Sequence, residues 1–452
     1  MRLRKTITTI VATAILLAGW QLFAVIANQP ELIPSLPRLV RTLCEWLVSG
    51  SFYQSVGATI LRGILGMSIS FVCAIGMAGL FARFEWVYEL FRPLLAIMRS
   101  IPVISFILLA LIFLNPESIP LMIAFLTMFP LLTENLTRGI LDLRPGLSIM
   151  ARQFHIKRSN VLFQIIYPQL KPFLYSGLAS AAGFGWRAII MGEVLSQCAF
   201  VIGSEMKRAQ NFIAVPELLA WTIVAVFISF FFDKGISKVA DITPKISFAN
   251  EDQTIPTPTL SVLDTKDISY QYGIQHFSHS FQKGIIYGIS APSGKGKTTL
   301  LNLIGGILLP TKGEIHPTRH FGIATIFQQP QLLPHLTAEE NIILPLSSFL
   351  TEEKARRIAQ KHLQEMEMEP FGNRYPKELS YGQQQRIAIA RALAYPSPLL
   401  LMDEPFKGLD EALSHRIIER IREKQMKEER IILFTSHNPD EIRLLADEVI
   451  YL

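Results

Sequence analysis

The sequence predicts an α-helical membrane domain of about six transmembrane helices, followed by an α/β domain. The composition is the first observation behind this fold class. Hydrophobic residues make up 50% of the 452 residues and charged residues 18%, below the share of about 25% in ordinary soluble proteins. The second is an uneven charge distribution, because residues 1–240 contain 20 basic and 11 acidic residues whereas residues 241–452 contain 23 and 26.

Composition also excludes some classes of function. The pI of 9.1 does not indicate nucleic-acid binding, because the basic excess is interleaved with apolar stretches rather than clustered on one polar face. The three cysteines, Cys44, Cys73 and Cys198, are too few and too scattered for a disulfide framework or a metal cluster.

Six apolar stretches of the first 240 residues are each close to the ~20 residues that span a bilayer. The first follows three basic residues, but its apolar run is longer than that of a signal peptide, so it is expected to be an uncleaved anchor. The fourth and sixth are the shortest or most interrupted, which leaves a re-entrant or buried-core structure open there. The stretches are residues 7–26, 57–82, 94–114, 119–136, 173–197 and 218–232.

With a cytoplasmic N-terminus, the inner segments contain eleven basic residues and the outer segments four. This asymmetry follows the positive-inside rule. An even number of spans then leaves the α/β domain in the cytoplasm, beneath the cell membrane. The inner residues are Arg2, Arg4, Lys5, Arg83, Arg92, Arg138, Arg144, Arg152, Lys157, Arg158 and Lys171, and the outer ones are Arg38, Arg41, Lys207 and Arg208.

Two features within the spans suggest close contacts. Small residues recur at every fourth position in Gly177, Ala181 and Gly185, which indicates close helix packing. Four charged residues lie in or at the ends of apolar spans: Arg99, Glu134, Arg187 and Glu193. Such charges suggest either a substrate pathway or buried pairs. Arg99 and Glu134 could instead simply lie at the membrane interface.

A polar segment with three prolines, residues 241–259, predicts a linker between a membrane domain at 1–240 and a second domain at 260–452. Beyond it, strand-like apolar runs alternate with helical patterns, which is typical of a parallel α/β domain.

The run APSGKGKTT predicts a phosphate-binding loop between a strand and a helix. Glycines let backbone N–H groups surround a phosphate, Lys297 reaches the outer phosphates, and Thr298 offers a hydroxyl to Mg²⁺. Ala291 replaces the usual first glycine, which matters only if that position needs positive φ. The loop comprises Ala291, Pro292, Ser293, Gly294, Lys295, Gly296, Lys297, Thr298 and Thr299.

Five further motifs follow in order, and together with the loop they resemble the ATPase domain of ABC transporters over residues 260–452. They are TIFQQP, LSYGQQQR, LLLMDEP, KGLD and TSHNPDE. The resemblance implies ATP and Mg²⁺ as ligands, with Asp410 of KGLD also at the nucleotide.

The expected roles of the residues in these motifs follow from their chemistry. Asp403, at the end of an apolar strand, is suited to the Mg²⁺ water shell, and Glu404 to polarising the attacking water. His437 is expected to contact the γ-phosphate, and Gln328 to join Mg²⁺ to the membrane-facing surface. Tyr272 matches the aromatic residue that stacks on adenine, although Tyr270 and plain strand packing remain alternatives.

The signature LSYGQ places Ser380, Gly382 and Gln383 at the start of a helix, where they are expected to bind a γ-phosphate held by another subunit. Tyr381 replaces the first glycine of the commoner LSGGQ, and its side chain is expected to point away. The chain has one such ATPase half, so a homodimer with two equivalent ATP sites is expected.

Residues 144–178 resemble the coupling loop of ABC importer permeases, most closely those of the nitrate, sulfonate and taurine group. MRSIPVISFILLALIFL and the pair Trp186 and Glu193 add to this resemblance. It implies an importer that takes its solute from a separate extracytoplasmic binding protein, with the loop contacting the ATPase near Gln328. Ile149 stands where the family has Glu, and His155 where it has Gly.

Two other functions are alternatives to an importer. An exporter half-transporter is favoured by the order of membrane domain then ATPase, but six spans with short connections within 240 residues leave no long cytoplasmic helices. A membrane-anchored signalling ATPase would have few spans and a large outer domain, and the longest outer segment is only residues 27–56. The substrate is not identified by the sequence beyond a small anion or small organic nutrient.

Overall fold

The computed structural model describes residues 2–240, 244–253, 260–271, 273–292, 294–317 and 322–452. These residues form two compact units. The first comprises Met1–Leu143 and Gln169–Thr243, and the second Arg144–Pro168 and Pro244–Leu452. The predicted coupling loop therefore belongs largely to the second unit.

Helices account for most of the first 240 residues. In chain order they are α1 (Arg2–Ala27), α2 (Leu36–Trp46), α3 (Gly50–Arg83), α4 (Glu85–Ser100), α5 (Val103–Phe113), α6 (Ile119–Leu141), α7 (Pro145–Gln153), α8 (Arg158–Asn160), α9 (Tyr167–Ser196), α10 (Ile202–Asn211) and α11 (Val215–Ala240), with a 3₁₀ turn at Pro116–Ser118 and a π-helical turn at Val161–Ile166.

Four helical segments of the described residues are long and apolar enough to cross a membrane: Gly50–Arg83, Pro116–Leu141, Arg158–Ser196 and Val215–Ala240. The bent pair α4 and α5 is a fifth candidate, and the apolar part of α1, Val11–Ala27, is shorter. These six segments correspond to the six predicted stretches.

The helical break lies in the third predicted stretch. The sequence allows a re-entrant structure in the fourth and sixth stretches, but the break is in neither of them. The axes of α4 and α5 differ by 95°. Ile101 is extended, with φ −71° and ψ 130°, because the ring of Pro102 disfavours a helical conformation in the residue before it. The helix therefore ends at Ser100 and restarts at Val103.

The small-residue face of α9 packs closely on α6, as the spacing of Gly177, Ala181 and Gly185 predicts. A Cβ atom on Gly185 would lie 2.0 Å from Cε of Met128, and one on Gly177 would lie 3.1 Å from Cβ of Asn135. Side chains at these positions would force the two helices apart.

The charged residues predicted inside spans are mostly paired within the first unit. Arg99 forms an ion pair with Glu134, and Glu193 is fully buried. Its carboxylate accepts hydrogen bonds from Thr59 and from the backbone N–H of Gly203, while Arg187 is exposed. Partners within the unit therefore account for three of the four charges without a substrate, although only Glu193 is buried and Arg99 is exposed.

Strands and helices alternate in the second unit after residue 260. They are β1 (Val262–Tyr270), β2 (Ile274–Gln282), β3 (Ile286–Ser290), α12 (Lys297–Ile304), β4 (Lys312–His316), β5 (Ala324–Ile326), α13 (Ala338–Leu346), α14 (Glu352–Glu365), α15 (Tyr381–Ala394), β6 (Leu399–Asp403), α16 (Glu411–Glu428), β7 (Ile431–Thr435), α17 (Pro439–Leu445) and β8 (Glu448–Tyr451).

Two sheets organise these elements. The antiparallel sheet has the order β2-β1-β4, and the parallel sheet has the order β5-β6-β7-β3-β8. The carboxyl ends of neighbouring parallel strands meet at one edge, where ligands of such sheets bind. The loops after β3, β6 and β7 therefore converge on one site.

Residues 144–168 pack into the second unit through an apolar helix face. Leu147, Met150 and Phe154 recur at helical spacing and share a buried cluster with residues such as Leu333 and Tyr395. The rings of Phe154 and Tyr395 meet edge to face with centroids 5.2 Å apart. The expected contact between this loop and the α/β domain is therefore present.

Buried amide side chains fix the same segment. Gln153 Nε2 donates to the Gly305 carbonyl at 2.7 Å. Asn160 donates to the Ser247 carbonyl and to Ser347 Oγ, each at 2.8 Å, and accepts from Ser247 N–H. Residues 244–253 of the predicted linker thus lie along the α/β domain, where Ala249 N–H also donates to Ser347 O.

His155 occupies a position that favours glycine. It follows the end of α7 with φ +46°, and Ile156 N–H donates back to the Ala151 carbonyl at 3.0 Å, a helix ending that usually has glycine in this conformation. The positive φ at this position is a physical reason for the glycine of the family pattern.

We expect His155→Gly to raise the melting temperature of the purified protein, because relief of a left-handed residue is worth about 1 kcal/mol. Thermal unfolding of wild type, His155→Gly and His155→Ala measures this. The alanine variant loses the imidazole without gaining backbone freedom, so it should not be stabilised; equal stabilisation of both variants would contradict the backbone explanation.

Candidate nucleotide-binding site

The loop between β3 and α12 has the conformation of a phosphate-binding loop. Gly294 and Gly296 have φ of +80° and +91°, and a Cβ on Gly296 would lie 2.8 Å from the Gly273 carbonyl oxygen. Ala291 has negative φ, so its replacement of glycine causes no backbone strain. Ser293 lies outside the described residues.

Lys297 begins α12 and is 8% exposed. Its ammonium donates to the Ala291 carbonyl at 2.7 Å and lies 3.5 Å from His437 Nδ1. In the same loop Lys295 N–H donates to the Pro292 carbonyl at 3.3 Å. The lysine that is expected to bind the outer phosphates is thus held across its own loop.

Asp403 and Thr298 form an oxygen pair at the carboxyl edge of the parallel sheet. Thr298 Oγ1 donates to Asp403 Oδ2 at 2.9 Å, and Thr435 Oγ1 donates to Oδ1 at 2.8 Å. Burial raises the pKa of Asp403, although both hydrogen bonds oppose this shift.

This donor set fits Mg²⁺, which binds one or two protein oxygens and takes its remaining ligands from water and phosphate. Within the described part of the chain, no group of three or more His, Cys, Asp or Glu residues could hold a metal ion by itself. A site completed by the nucleotide is therefore the arrangement that these residues support.

Glu404 lies at the entrance to this site in a strained conformation, with φ +48°. Its N–H donates to Thr435 Oγ1 at 3.0 Å. One carboxylate oxygen is 3.1 Å from His437 Nε2 and the other is 3.2 Å from Lys407 Nζ. Left-handed non-glycine residues concentrate at functional sites, and here the conformation directs the carboxylate toward His437.

Glu404 is also kept ionised. Burial alone would raise its pKa, but hydrogen bonds from Lys407 and Gln328 and the charges of Lys407 and His437 outweigh burial, so that the pKa is lowered. A base that is ionised at neutral pH can accept a proton.

Lys407→Met should therefore move the acid limb of the kcat profile for ATP hydrolysis to higher pH. The variant removes a donor and a positive charge that both lower the Glu404 pKa, so the carboxylate would become protonated at a higher pH. Steady-state hydrolysis across pH measures the shift, with the exposed Lys427→Met as control. An unshifted acid limb would show that Lys407 does not act on the base.

Gln328 follows β5 and links this site to the segment 144–168. A cavity of about 270 Å³ is lined by Gly146 and Ile149 of α7 on one side and by Gln328, Thr298 and Asp403 on the other. The predicted contact of the coupling loop near Gln328 is confirmed by this arrangement. Ile149, which stands where the family has Glu, contributes an apolar wall to the cavity.

The signature residues form the N-terminus of α15. Ser380 Oγ accepts from Gln383 N–H at 3.3 Å, and Gln383 Oε1 accepts from Ser380 N–H at 2.9 Å. Gly382 approaches the Gly408 carbonyl so closely that a Cβ would lie 2.6 Å from it. Asp410 caps α16 by accepting from Leu413 N–H at 2.9 Å.

The structure brings together only some of the predicted site residues. Lys297, Thr298, Gln328, Asp403, Glu404 and His437 converge at one edge of the parallel sheet. Among the described residues, no hydrogen bond or ion pair joins Ser380, Gly382 or Gln383 to the phosphate-binding loop. Tyr272 lies outside the described residues, and its rival Tyr270 packs against a buried cluster of the α/β domain.

Sequence reasoning missed three residues that support the site. Thr435 bonds both Asp403 and the Glu404 N–H, Lys407 pairs with Glu404, and the buried Gln385 donates to the Pro405 carbonyl at 3.0 Å. Lys407 could have been found from its i,i+3 spacing to Glu404. The other two depend on contacts between distant segments.

Two family profiles match the chain. The profile described as ABC transporter matches residues 274–407, and the profile described as binding-protein-dependent transport system inner membrane component matches residues 56–233. The thiamine import ATP-binding protein of Yersinia pseudotuberculosis is 34% identical over 205 residues, which cover 42% of this chain and 86% of that protein. The chain belongs to the ABC transporter family. The predicted fold class, a helical membrane domain followed by an ABC ATPase domain, is confirmed.

Other relatives of this ABC transporter match in part. The Fe(3+) ions import ATP-binding protein of Rhizobium etli is 35% identical over 189 residues, covering 40% of this chain and 54% of that protein. This chain therefore spans about half the length of that relative. A dimeric ATP-binding cassette solved in a post-hydrolysis state with ADP and Pi matches with a TM-score of 0.40 and 31% identity, covering 42% of this chain and 94% of that chain.

Proposed function

We propose that this ABC transporter chain is an ATP-driven importer subunit in which permease and ATPase are fused. The observation that carries the proposal is the cavity in which Gly146 and Ile149 of the permease-derived segment lie beside Gln328, Thr298 and Asp403. A segment of the membrane domain that forms one wall of the nucleotide site can pass the state of that site to the permease.

In this proposal the nucleotide lies on the loop 291–299, and Lys297 binds its outer phosphates. Asp403, Thr298 and Gln328 would hold Mg²⁺, which would supply positive charge to stabilise the transferred phosphoryl group. Glu404 accepts a proton from the attacking water. His437 contacts both Glu404 and the γ-phosphate and so holds the geometry of the attacking water. Their mutual distances near 3 Å support these roles.

The proposed working unit is a homodimer. Ser380, Gly382 and Gln383 present the N-terminus of a helix, a suitable site for phosphate oxygens, yet within the described chain they have no hydrogen bond to the loop 291–299. A second copy of the chain would bring its own signature helix to this loop. Asp410, which is close to the signature helix, would lie at the interface between the two copies. Two equivalent composite sites result.

The proposed domains are a permease at 1–240, a linker at 241–259 and an ATPase at 260–452. The excess of basic residues in the inner segments supports an ATPase in the cytoplasm and a permease in the cell (inner or cytoplasmic) membrane. The match of residues 56–233 to a binding-protein-dependent inner membrane component supports a separate extracytoplasmic binding protein as partner.

The proposed solute is a small anion or a small organic nutrient, on the resemblance of the permease to the nitrate, sulfonate and taurine group. The relatives of the ATPase half are named for import of different solutes, thiamine and Fe(3+) ions among them. Selection of the solute would then depend on the permease half and its binding protein.

The proposal predicts that a solute-loaded binding protein stimulates ATP hydrolysis. The full chain in lipid nanodiscs is assayed with candidate binding proteins, each with and without its solute, and Glu404→Gln serves as the hydrolysis-deficient control. Stimulation several-fold above the basal rate by one loaded protein, and not by its empty form, is expected. Full turnover stimulated by a lipophilic drug alone would favour the exporter alternative.

A further inference from the structure

Tyr381, which stands where the commoner signature has glycine, makes a specific contact in its own subunit. It is the first residue of α15. Its hydroxyl donates to the main-chain carbonyl of Gln328 at 2.7 Å, across 53 positions of sequence. The side chain is 42% exposed, so burial does not explain why the hydroxyl has this partner.

The ring of Tyr381 is fixed by a glycine on the loop that follows Glu404. A Cβ on Gly408 would lie 2.8 Å from ring atom Cδ1, and Gly408 has φ +79°. A Cβ on Gly382 would lie 2.6 Å from the carbonyl oxygen of Gly408. The start of α15 is thus packed against residues 404–410, with the Tyr381 hydroxyl directed at Gln328.

Gln328 in turn lies beside two residues of the proposed nucleotide site. Thr298 and Asp403 line the same cavity as Gln328, and Thr298 Oγ1 donates to Asp403 Oδ2 at 2.9 Å. A set of contacts therefore runs from the signature helix through the Gln328 main chain to this cavity.

We propose that the Tyr381 hydroxyl is a positioning group for Gln328. By fixing the Gln328 main chain it keeps the amide side chain in the cavity with Thr298 and Asp403. It touches neither the nucleotide loop nor the reacting atoms in this arrangement. The inference rests on the role proposed above for Gln328, and it assigns Tyr381 a part in the chemistry of its own subunit.

Tyr381→Phe tests the hydroxyl while retaining the ring. A single hydrogen bond of this kind corresponds to a change of about 2-fold to 10-fold in rate. We expect kcat for ATP hydrolysis by the full chain to fall within this range with an unchanged KM, because the nucleotide loop is untouched. Equilibrium binding of a fluorescent ATP analogue should be unchanged for the same reason.

The decisive measurement is a double-mutant cycle with Gln328→Ala. If Tyr381 acts through the Gln328 side chain, Tyr381→Phe should have no further effect on kcat once that side chain is absent. Tyr375→Phe, which removes a hydroxyl from another exposed tyrosine, is the matched control and should leave kcat unchanged.

The outcomes separate this inference from the proposed function. An equal loss of kcat in the wild-type and Gln328→Ala backgrounds would overturn the positioning role alone, as would a wild-type kcat in Tyr381→Phe. A Gln328→Ala variant with wild-type kcat would overturn both the positioning role and the part proposed for Gln328 in hydrolysis.

Discussion

Glu404→Gln should retain ATP binding and lose hydrolysis by about 10²-fold to 10⁴-fold, the contribution typical of a positioned general base. The amide has the same shape as the carboxylate but cannot accept a proton from water. Lys297, whose contacts to Ala291 and His437 do not involve Glu404, stays in place to bind phosphate. Phosphate release and equilibrium binding of a fluorescent ATP analogue measure the two properties separately.

A matched control for this variant is Glu423→Gln, at an exposed position of α16. It removes one carboxylate from the same domain and should leave hydrolysis unchanged. Near-normal hydrolysis by Glu404→Gln would contradict the proposed role, and loss of nucleotide binding would show that the carboxylate instead supports the loop 291–299.

Dimers with Lys297→Ala on one subunit and Ser380→Ala on the other should be several-fold more active than dimers with both changes on one subunit. In the first arrangement both changes fall in one composite site and the other site is intact. In the second, each site receives one change, and both are spoiled. Differently tagged chains, purified as mixed dimers and assayed for hydrolysis, give the comparison.

The Ser380→Ala homodimer is needed beside these mixtures, because Ser380 also caps α15 and loss of such a cap costs about 1 kcal/mol. Its melting temperature shows whether the helix has been weakened independently of the site. Equal activity of the two mixed arrangements, with folded subunits, would contradict composite sites shared between two copies.

Local sequence was sufficient to find the phosphate-binding loop and the carboxylates after β6. Glycine spacing and apolar runs are local properties, and the parallel strands bring their ends to one edge whatever the rest of the chain does. Gly294 and Gly296 have the positive φ that their residue type predicts, whereas Ala291 could be judged harmless only when its backbone conformation was known.

Contacts between distant segments could not be read in the same way. The Tyr381 side chain is predicted to leave the close approach to Gly382, but its partner, the Gln328 carbonyl at 2.7 Å, depends on the packing of α15 against Gly408. The 95° bend between α4 and α5 lies at Pro102, which a count of apolar residues treats as an ordinary member of a span. Thr435 likewise becomes a partner of Asp403 only because β7 is adjacent to β6.

The direction of solute movement tests the central claim most directly. Proteoliposomes carry the full chain, with the binding protein that stimulates hydrolysis and its labelled solute enclosed in the lumen and ATP added only outside. Molecules whose ATPase faces the outside should then move solute out of the lumen, from the outer face of the permease toward the ATPase side, and Glu404→Gln should not. Solute that stays in the lumen despite ATP hydrolysis, or ATP-dependent movement into the lumen when the labelled solute is supplied outside, would contradict an importer.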